Sequence, residues 1–153
     1  MNYQIEKFET FVTLLEKHSP NEGLNLTSIK NLATFKVSKP QARQQIIEVP
    51  GIVIVGQGKK ECYIGNLTDT SKPGHVSVGF YPIPLEVEIV EASQETPYLW
   101  AGLQMDMGRM AEVLLRLDKV DKTAPNIKSP ERRSKYSFPL NNRLLDPFIR
   151  LLE

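Results

Sequence analysis

The sequence predicts a mainly β domain, either a sandwich or a barrel, with one helix before the strands and two helices after them. Short runs of alternating apolar and polar residues, interrupted by Pro and Gly, extend from Leu32 to Leu103. Helical spacing of apolar residues precedes this region and returns at Asp106. A chain of 153 residues is long enough for a single domain with a substantial core.

The first 20 residues predict an amphipathic helix, because apolar residues recur between Gln4 and Lys17 at intervals of three and four. Ser19 and Pro20 end this pattern. A polar loop is expected to follow through residues 22–25. The apolar positions of the helix are Ile5, Phe8, Phe11, Val12 and Leu15.

Residues 32–105 carry the β signal. Breakers such as 72–74 and 81–84 separate short candidate strands, and this spacing is typical of a sandwich or barrel. Alternation predicts enough inward-facing side chains for a small core. The candidate strands are residues 33–37, 46–49, 51–56, 61–65, 75–80, 85–91 and 98–105.

The segment 48–65 predicts a tight β-hairpin, since an apolar run stops at Gly56-Gln-Gly-Lys-Lys60 and a second strand follows. Gly56 and Gly58 are expected to supply positive φ in the turn. The same glycines and lysines superficially match a phosphate loop, but such a loop opens a helix, and a strand follows here.

Three segments follow the β region. Residues 106–118 predict a helix with Asp106 as its N-cap and an apolar stripe wider than one flank of a barrel needs. Residues 119–141 have the polar, charged composition of a linker or loop. Residues 142–153 predict a second apolar helix, with Pro147 tolerated in its first turn or two.

Composition excludes several classes of function. The 19 Lys and Arg residues nearly balance the 18 Asp and Glu residues, so the chain has no large positive field for a nucleic-acid backbone. The single cysteine, the absence of a signal-peptide pattern and the absence of a 20-residue apolar run predict a cytoplasmic protein without a membrane partner.

No complete catalytic or metal site is visible in the sequence. A metal-binding barrel usually supplies a His-x-His pair, but Ser77 follows His75 at the second position. We therefore interpret His75 as a residue at the surface start of a strand and expect no metal or other cofactor. Glu86 and Glu88 alternate along a strand, which places them on one solvated face.

Cys62 has two readings. It is a candidate reactive thiol, because Lys59 and Lys60 would favour the thiolate. The alternative, which we favour, is that Cys62 is a small apolar strand residue.

The alternation of residues along the strands also predicts a ligand pocket. Aromatic side chains in strands are usually core residues, but a barrel mouth with aromatic walls and a few polar groups can hold a small organic molecule. Gln57 is the candidate polar anchor of the pocket. The remaining candidates are Val53, Val55, Tyr63, Val78, Phe80 and Trp100.

Several segments together resemble the N-terminal domain of AraC/XylS-type transcriptional regulators, and the resemblance covers nearly the whole chain. The residues that carry it are 50–60, Gly65, 73–74, 82–84, 91–99, 103–106 and 144–152. The resemblance implies a cupin-like double-stranded β-helix, or jelly-roll barrel, that senses a small-molecule effector and dimerises through helices.

In that family, a pair of helix-turn-helix motifs follows the regulatory domain and binds DNA. No such motif is present up to Glu153, so we expect the chain to be an isolated or truncated regulatory half that reaches DNA only in a longer parent. The helix after Asp106 is the expected surface of a homodimer. Its interface candidates are Met107, Met110, Ala111, Leu114 and Leu117.

Two other functions remain open. A metal-dependent cupin enzyme is disfavoured by the missing His-x-His pair, so we expect the chain not to be an enzyme. A stand-alone protein-interaction module would have a barrel filled by its own side chains, and it would bind no stabilising metabolite.

Overall fold

The computed structural model describes residues 2–106, 108–109, 111–112, 115–116 and 135–153, with side chains from residue 5 onward except those of 135 and 136. Helix α1 is Asn2–His18 and helix α2 is Asn142–Leu152. The strands of this part of the chain are β1 Gly23–Leu26, β2 Leu32–Val37, β3 Gln41–Glu48, β4 Gly51–Gln57, β5 Lys59–Ile64, β6 Leu67–Ser71, β7 His75–Gly79, β8 Ile83–Glu91, β9 Tyr98–Gln104 and β10 Lys135–Pro139.

The strands form two antiparallel sheets. The first sheet has the order β1-β2-β9-β4-β7-β10, and the second has the order β3-β8-β5-β6. From β2 to β9 the chain passes repeatedly from one sheet to the other, with only β5 and β6 joined as neighbours in sequence. This is the strand order of a jelly roll, so the predicted fold class is confirmed.

Both faces of the first sheet are covered. On its outer face, side chains such as Ile54 and Leu99 pack against the two helices, which contribute Phe11, Leu15 and Phe148 to one continuous core. Each of these residues is fully or almost fully buried.

The inner face of the first sheet packs toward the second sheet. Val55, Tyr98 and Val37 of the first sheet meet Ile89 of the second in a buried cluster. A separate cluster in the second sheet contains Cys62, Leu85 and Val87. Thus, neighbouring residues of β4, such as Ile54 and Val55, are both buried but belong to different cores.

The predicted hairpin at residues 48–65 is wrong, because β4 and β5 belong to different sheets. The chain turns a corner between the sheets at Gly58, whose φ is +83°. A β-carbon on Gly58 would lie 2.7 Å from both the Glu91 oxygen and the Tyr98 α-carbon. Gly56 does not have positive φ. A glycine fits at position 56 because the Leu15 side chain of α1 occupies the space that a β-carbon would need.

Three strands were missed by the sequence prediction. Residues 23–26, expected in a polar loop, form β1 beside β2. Residues 67–71 form β6 beside β5. Residues 135–139, expected in the 119–141 linker, form β10 beside β7.

The ends of the helices have well-defined polar contacts. The Asn141 side chain caps α2 by accepting the Leu144 N–H at 3.2 Å, and Pro147 lies inside the helix. Asp106 accepts the N–H groups of Gly108 and Arg109 at 3.0 and 3.2 Å, and the described residues from 108 to 116 have helical backbone. Asp106 is therefore an N-cap.

Helix α1 is fastened to its surroundings by buried polar groups. The Ser19 hydroxyl donates to Thr34 Oγ1 at 2.8 Å, and the Thr34 hydroxyl donates to the His18 carbonyl at 2.9 Å. The ends of the two helices meet where His18 Nε2 lies 2.6 Å from the Leu152 carbonyl oxygen.

Candidate functional site

An apolar cavity of about 390 Å³ opens at one end of the first sheet. Four strand ends meet there: the ends of β1 and β9 and the beginnings of β2 and β4. The β1–β2 loop and the β3–β4 connection complete the wall. The lining residues are Leu24, Leu26, Thr27, Ile29, Lys30, Asn31, Leu32, Ala33, Val49, Pro50, Gly51, Ile52, Val53, Trp100, Gly102, Leu103 and Gln104.

The rim of the cavity is held by backbone hydrogen bonds between three segments. The Gln104 N–H donates to the Asn31 carbonyl at 2.8 Å, and the Met105 N–H donates to the Pro50 carbonyl at 3.1 Å. Asn31 has a φ of +69°, which an Asn side chain tolerates better than most residues. These bonds tie the β1–β2 loop and the β3–β4 connection to the end of β9, so the mouth has a defined shape.

Thr27 organises the β1–β2 loop. Its Oγ1 lies 2.8 Å from the Leu32 carbonyl oxygen and accepts the Ile29 N–H at 3.2 Å. The hydroxyl is therefore engaged in holding the loop. Of the other polar lining residues, Lys30, Asn31 and Gln104 are exposed side chains at the rim.

The mouth carries exposed apolar side chains. Leu24, Leu26 and Val49 all line the cavity, and Leu26 is 83% exposed. A small apolar molecule entering here would remove several of these groups from water at once, which is favourable in proportion to the area buried.

Trp100 forms the inner wall. Its indole is stacked on Phe35 of the neighbouring strand, with ring centroids 5.1 Å apart and planes at 7°. Gly102, two residues along β9, lies under the same ring, and Val53 of β4 lies opposite Gly102. This wall combines a flat aromatic surface with small and branched side chains.

The predicted pocket residues do not all meet. Val53 and Trp100 line the cavity. Val55 is buried between the sheets, Val78 is buried beneath the helices, and Phe80 packs against that same core. The Gln57 amide donates to the Pro97 carbonyl at 2.9 Å, close to the corner at Gly58.

Residues 28–153 match the family model of the AraC-type transcriptional regulator N-terminus. The chain belongs to this family. A search among curated protein sequences finds no match.

Among solved structures, an apo ToxT variant from Vibrio cholerae resembles this AraC-type domain with a TM-score of 0.52 at 8% sequence identity. The match covers 86% of this chain and 48% of the ToxT chain, so the chain spans about half the length of that protein. At this identity the likeness shows a shared fold.

Tyr63 lies on the outer face of the second sheet of the AraC-type domain, away from the cavity. Its hydroxyl donates to Glu88 Oε1 at 2.8 Å, and the Arg43 guanidinium lies 3.8 Å from its ring centroid and pairs with Glu86. The pKa of Tyr63 is raised above its ordinary value of 10.0. The hydrogen bond to Glu88 is the largest cause, and desolvation is the second. Tyr63 is therefore part of a polar surface whose side chains are held by mutual contacts.

Cys62 and His75 of this AraC-type domain lie apart from the cavity. Cys62 is 0% exposed and packs with Leu85 and Val87, so a dissolved reagent has no direct route to its sulfur in this conformation. His75 begins β7, half-buried, and its Nδ1 is buried without a hydrogen-bond partner among the described residues.

Within the described part of the chain, no group of three or more His, Cys, Asp or Glu residues is placed to hold a metal ion. Within the same residues, no helix has both the length and the apolar character needed to cross a bilayer.

Sequence reasoning missed most of the cavity because its wall comes from loops and strand ends. One signal was available: Leu24 and Leu26 alternate within the segment expected to be a polar loop. Four of the predicted dimer residues, Met107, Met110, Leu114 and Leu117, lie outside the described residues, whereas Ala111 is exposed.

Proposed function

We propose that this chain is the ligand-sensing and dimerisation domain of a cytoplasmic AraC-type transcriptional regulator, and that its effector is a predominantly apolar small molecule. The observation that carries the proposal is the apolar cavity at the end of the first sheet, whose rim is held by backbone hydrogen bonds. DNA binding is proposed only for a separate domain of a longer parent protein.

The chemistry of the wall supports an apolar effector. A volume of about 390 Å³ is within the usual range for small-molecule sites. The wall includes the apolar side chains of Ile52, Val53 and Trp100, while the Thr27 hydroxyl is engaged within its loop. A molecule with many hydroxyl groups would lose hydrogen bonds with water here and regain few of them, so its burial would be costly.

The position of the cavity supports a route for the signal. Gln104 lines the cavity, Met105 bonds to its rim, and Asp106 caps the following helix. A ligand that favours one arrangement of this rim would therefore favour one position of the helix start. Such a ligand shifts the balance between two states only by its difference in affinity for them.

The exposed side chains of that helix support dimerisation. Ala111 and Leu115 are four residues apart, which places them on the same helical face, and both are exposed. Leu115 is 62% exposed, so a partner that covered this face would remove apolar surface from water. We propose that this face meets the same face of a second copy.

Ligand binding can be tested with N-phenyl-1-naphthylamine, a neutral apolar fluorophore whose emission rises in apolar sites. Trp100, the only tryptophan of the chain, lines this cavity, so a probe bound there should quench its emission. We expect saturable binding, quenching of Trp100 and a rise in melting temperature, because a ligand specific to the native state stabilises it.

A matched pair of variants locates the probe. Ala33→Phe places a ring in the cavity and should abolish saturable binding, whereas Ala42→Phe makes the same change on the exposed part of β3 and should leave it intact. Equal binding by the two variants, or no binding by the unmodified chain, would contradict the proposed site and favour a stand-alone interaction module.

A second matched pair of variants tests dimerisation. Leu115→Glu should shift the sedimentation coefficient toward that of a monomer, because a charge at an apolar interface is costly to desolvate. Leu67→Glu alters a residue of almost equal exposure, 63%, on β6 and should leave the oligomeric state unchanged. A monomer at high micromolar concentration before any substitution would refute the dimer.

A further inference from the structure

Gly102 and Trp100 form one structural unit within the cavity wall. A β-carbon built on Gly102 lies 2.7 Å from Trp100 Cζ3 and 3.2 Å from Cε3. The benzo ring of the indole therefore occupies the space that any other residue at position 102 would require for its side chain.

The indole has little freedom to retreat within the sheet. Phe35 is paired directly with Trp100 across β2 and β9, and the two rings are stacked nearly parallel. Val53 Cγ2 lies 3.5 Å from the same built β-carbon of Gly102. With Phe35 on one side and Val53 nearby, a side chain at position 102 would push the indole off the sheet and into the cavity.

We propose that Gly102 and Trp100 are the specificity-determining pair of this site: the glycine lets the indole lie flat, and the indole sets how deep an apolar ligand can enter. The inference rests on the proposed ligand-sensing function. It assigns the size preference of the cavity to these two positions of β9. A larger residue at 102 favours smaller ligands, and a smaller residue at 100 favours bulkier ones.

The position of the ring can be tested without any ligand. Gly102→Ala should move the emission maximum of Trp100 and change its quenching by acrylamide, since the added methyl group would displace the indole from its position above residue 102. Unchanged emission and quenching would overturn the proposal. This measurement remains informative if the chain binds no probe at all, so the failure of this inference and the failure of the proposed function are distinguishable.

The size preference is tested with two neutral probes, 1-naphthol and the larger N-phenyl-1-naphthylamine, measured by their own fluorescence. Gly102→Ala should weaken binding of the larger probe by about tenfold, the effect of forcing one extra methyl group into a packed site, and affect 1-naphthol less. Trp100→Leu should change the ratio of the two dissociation constants in the opposite direction.

The double variant Gly102→Ala/Trp100→Leu measures the coupling. With the indole absent, the added methyl group has nothing to displace, so the double variant should bind like Trp100→Leu alone. Additive losses would overturn the pairing of these residues. Should Gly102→Ala fail to fold, Trp100→Leu still decides: an unchanged ratio for the two probes refutes the assignment.

Discussion

Replacement of Gly58 by Ala is expected to be among the most destabilising single-methyl changes in this domain. Gly58 is the residue at which the chain passes from the first sheet to the second. Its φ of +83° lies in the left-handed region, which costs a residue with a side chain roughly 1–2 kcal/mol.

The close approach of the backbone adds a second cost. The new methyl group would lie 2.7 Å from the Glu91 oxygen and from the Tyr98 α-carbon, and neither backbone atom can rotate away. Overpacking of this kind costs roughly 1–3 kcal/mol. The two contributions together predict a loss of about 2–5 kcal/mol, a large part of the roughly 5–15 kcal/mol available to a typical domain.

Gly65→Ala is the matched control, because Gly65 also has positive φ, +58°, but has no atom within 4 Å of its built β-carbon. It should lose only the conformational contribution. Urea unfolding followed by far-UV circular dichroism gives both free energies of unfolding. A difference between the two variants below about 0.5 kcal/mol, the usual range for an innocuous surface change, would refute the proposed crowding at the sheet corner.

Three further outcomes are expected. Thr34→Val leaves the buried Ser19 hydroxyl without its acceptor and should cost about 1–3 kcal/mol in urea unfolding, whereas Thr13→Val, at an exposed position of α1, should change little. Cys62 should resist iodoacetamide at neutral pH in the native protein and react in urea, because it is fully buried; rapid native labelling would support the reactive-thiol reading. The raised pKa of Tyr63 means that the protonated phenol is favoured in the folded state, so its stabilisation is present below pH 10.0 and is lost as the pH rises through the folded-state pKa. Tyr63→Phe should therefore flatten the fall in stability above that pH, and an unaltered profile would show that the Glu88 contact has no effect.

The sequence could predict the mainly β class and the flanking helices because these depend on local periodicity. The faces of the strands were harder to assign. Val53 and Val78 both alternate as an inward residue should, yet one lines the cavity and the other lies under the helices. Since both faces of the first sheet are buried, a period of two does not reveal which core a residue joins.

The corner at Gly58 illustrates a different limit. A glycine with polar neighbours between two strands is the signal for a short hairpin, and the same residues also suit a passage between sheets. The choice is made by distant contacts, here with Glu91 and Tyr98, which local patterns do not contain. The cavity was missed for the same reason, since its wall joins loops and strand ends that are far apart in sequence.

The contacts between the two helices have a consequence for how the chain folds. Lys7 pairs with Asp146 across 139 positions of sequence, and His18 contacts Leu152 across 134 positions. Closure of such long loops is entropically costly, and folds dominated by distant contacts form slowly. During synthesis, the apolar core beneath the two helices cannot be completed before the 11 residues of α2 have been made, so part of that core stays exposed to other chains until then.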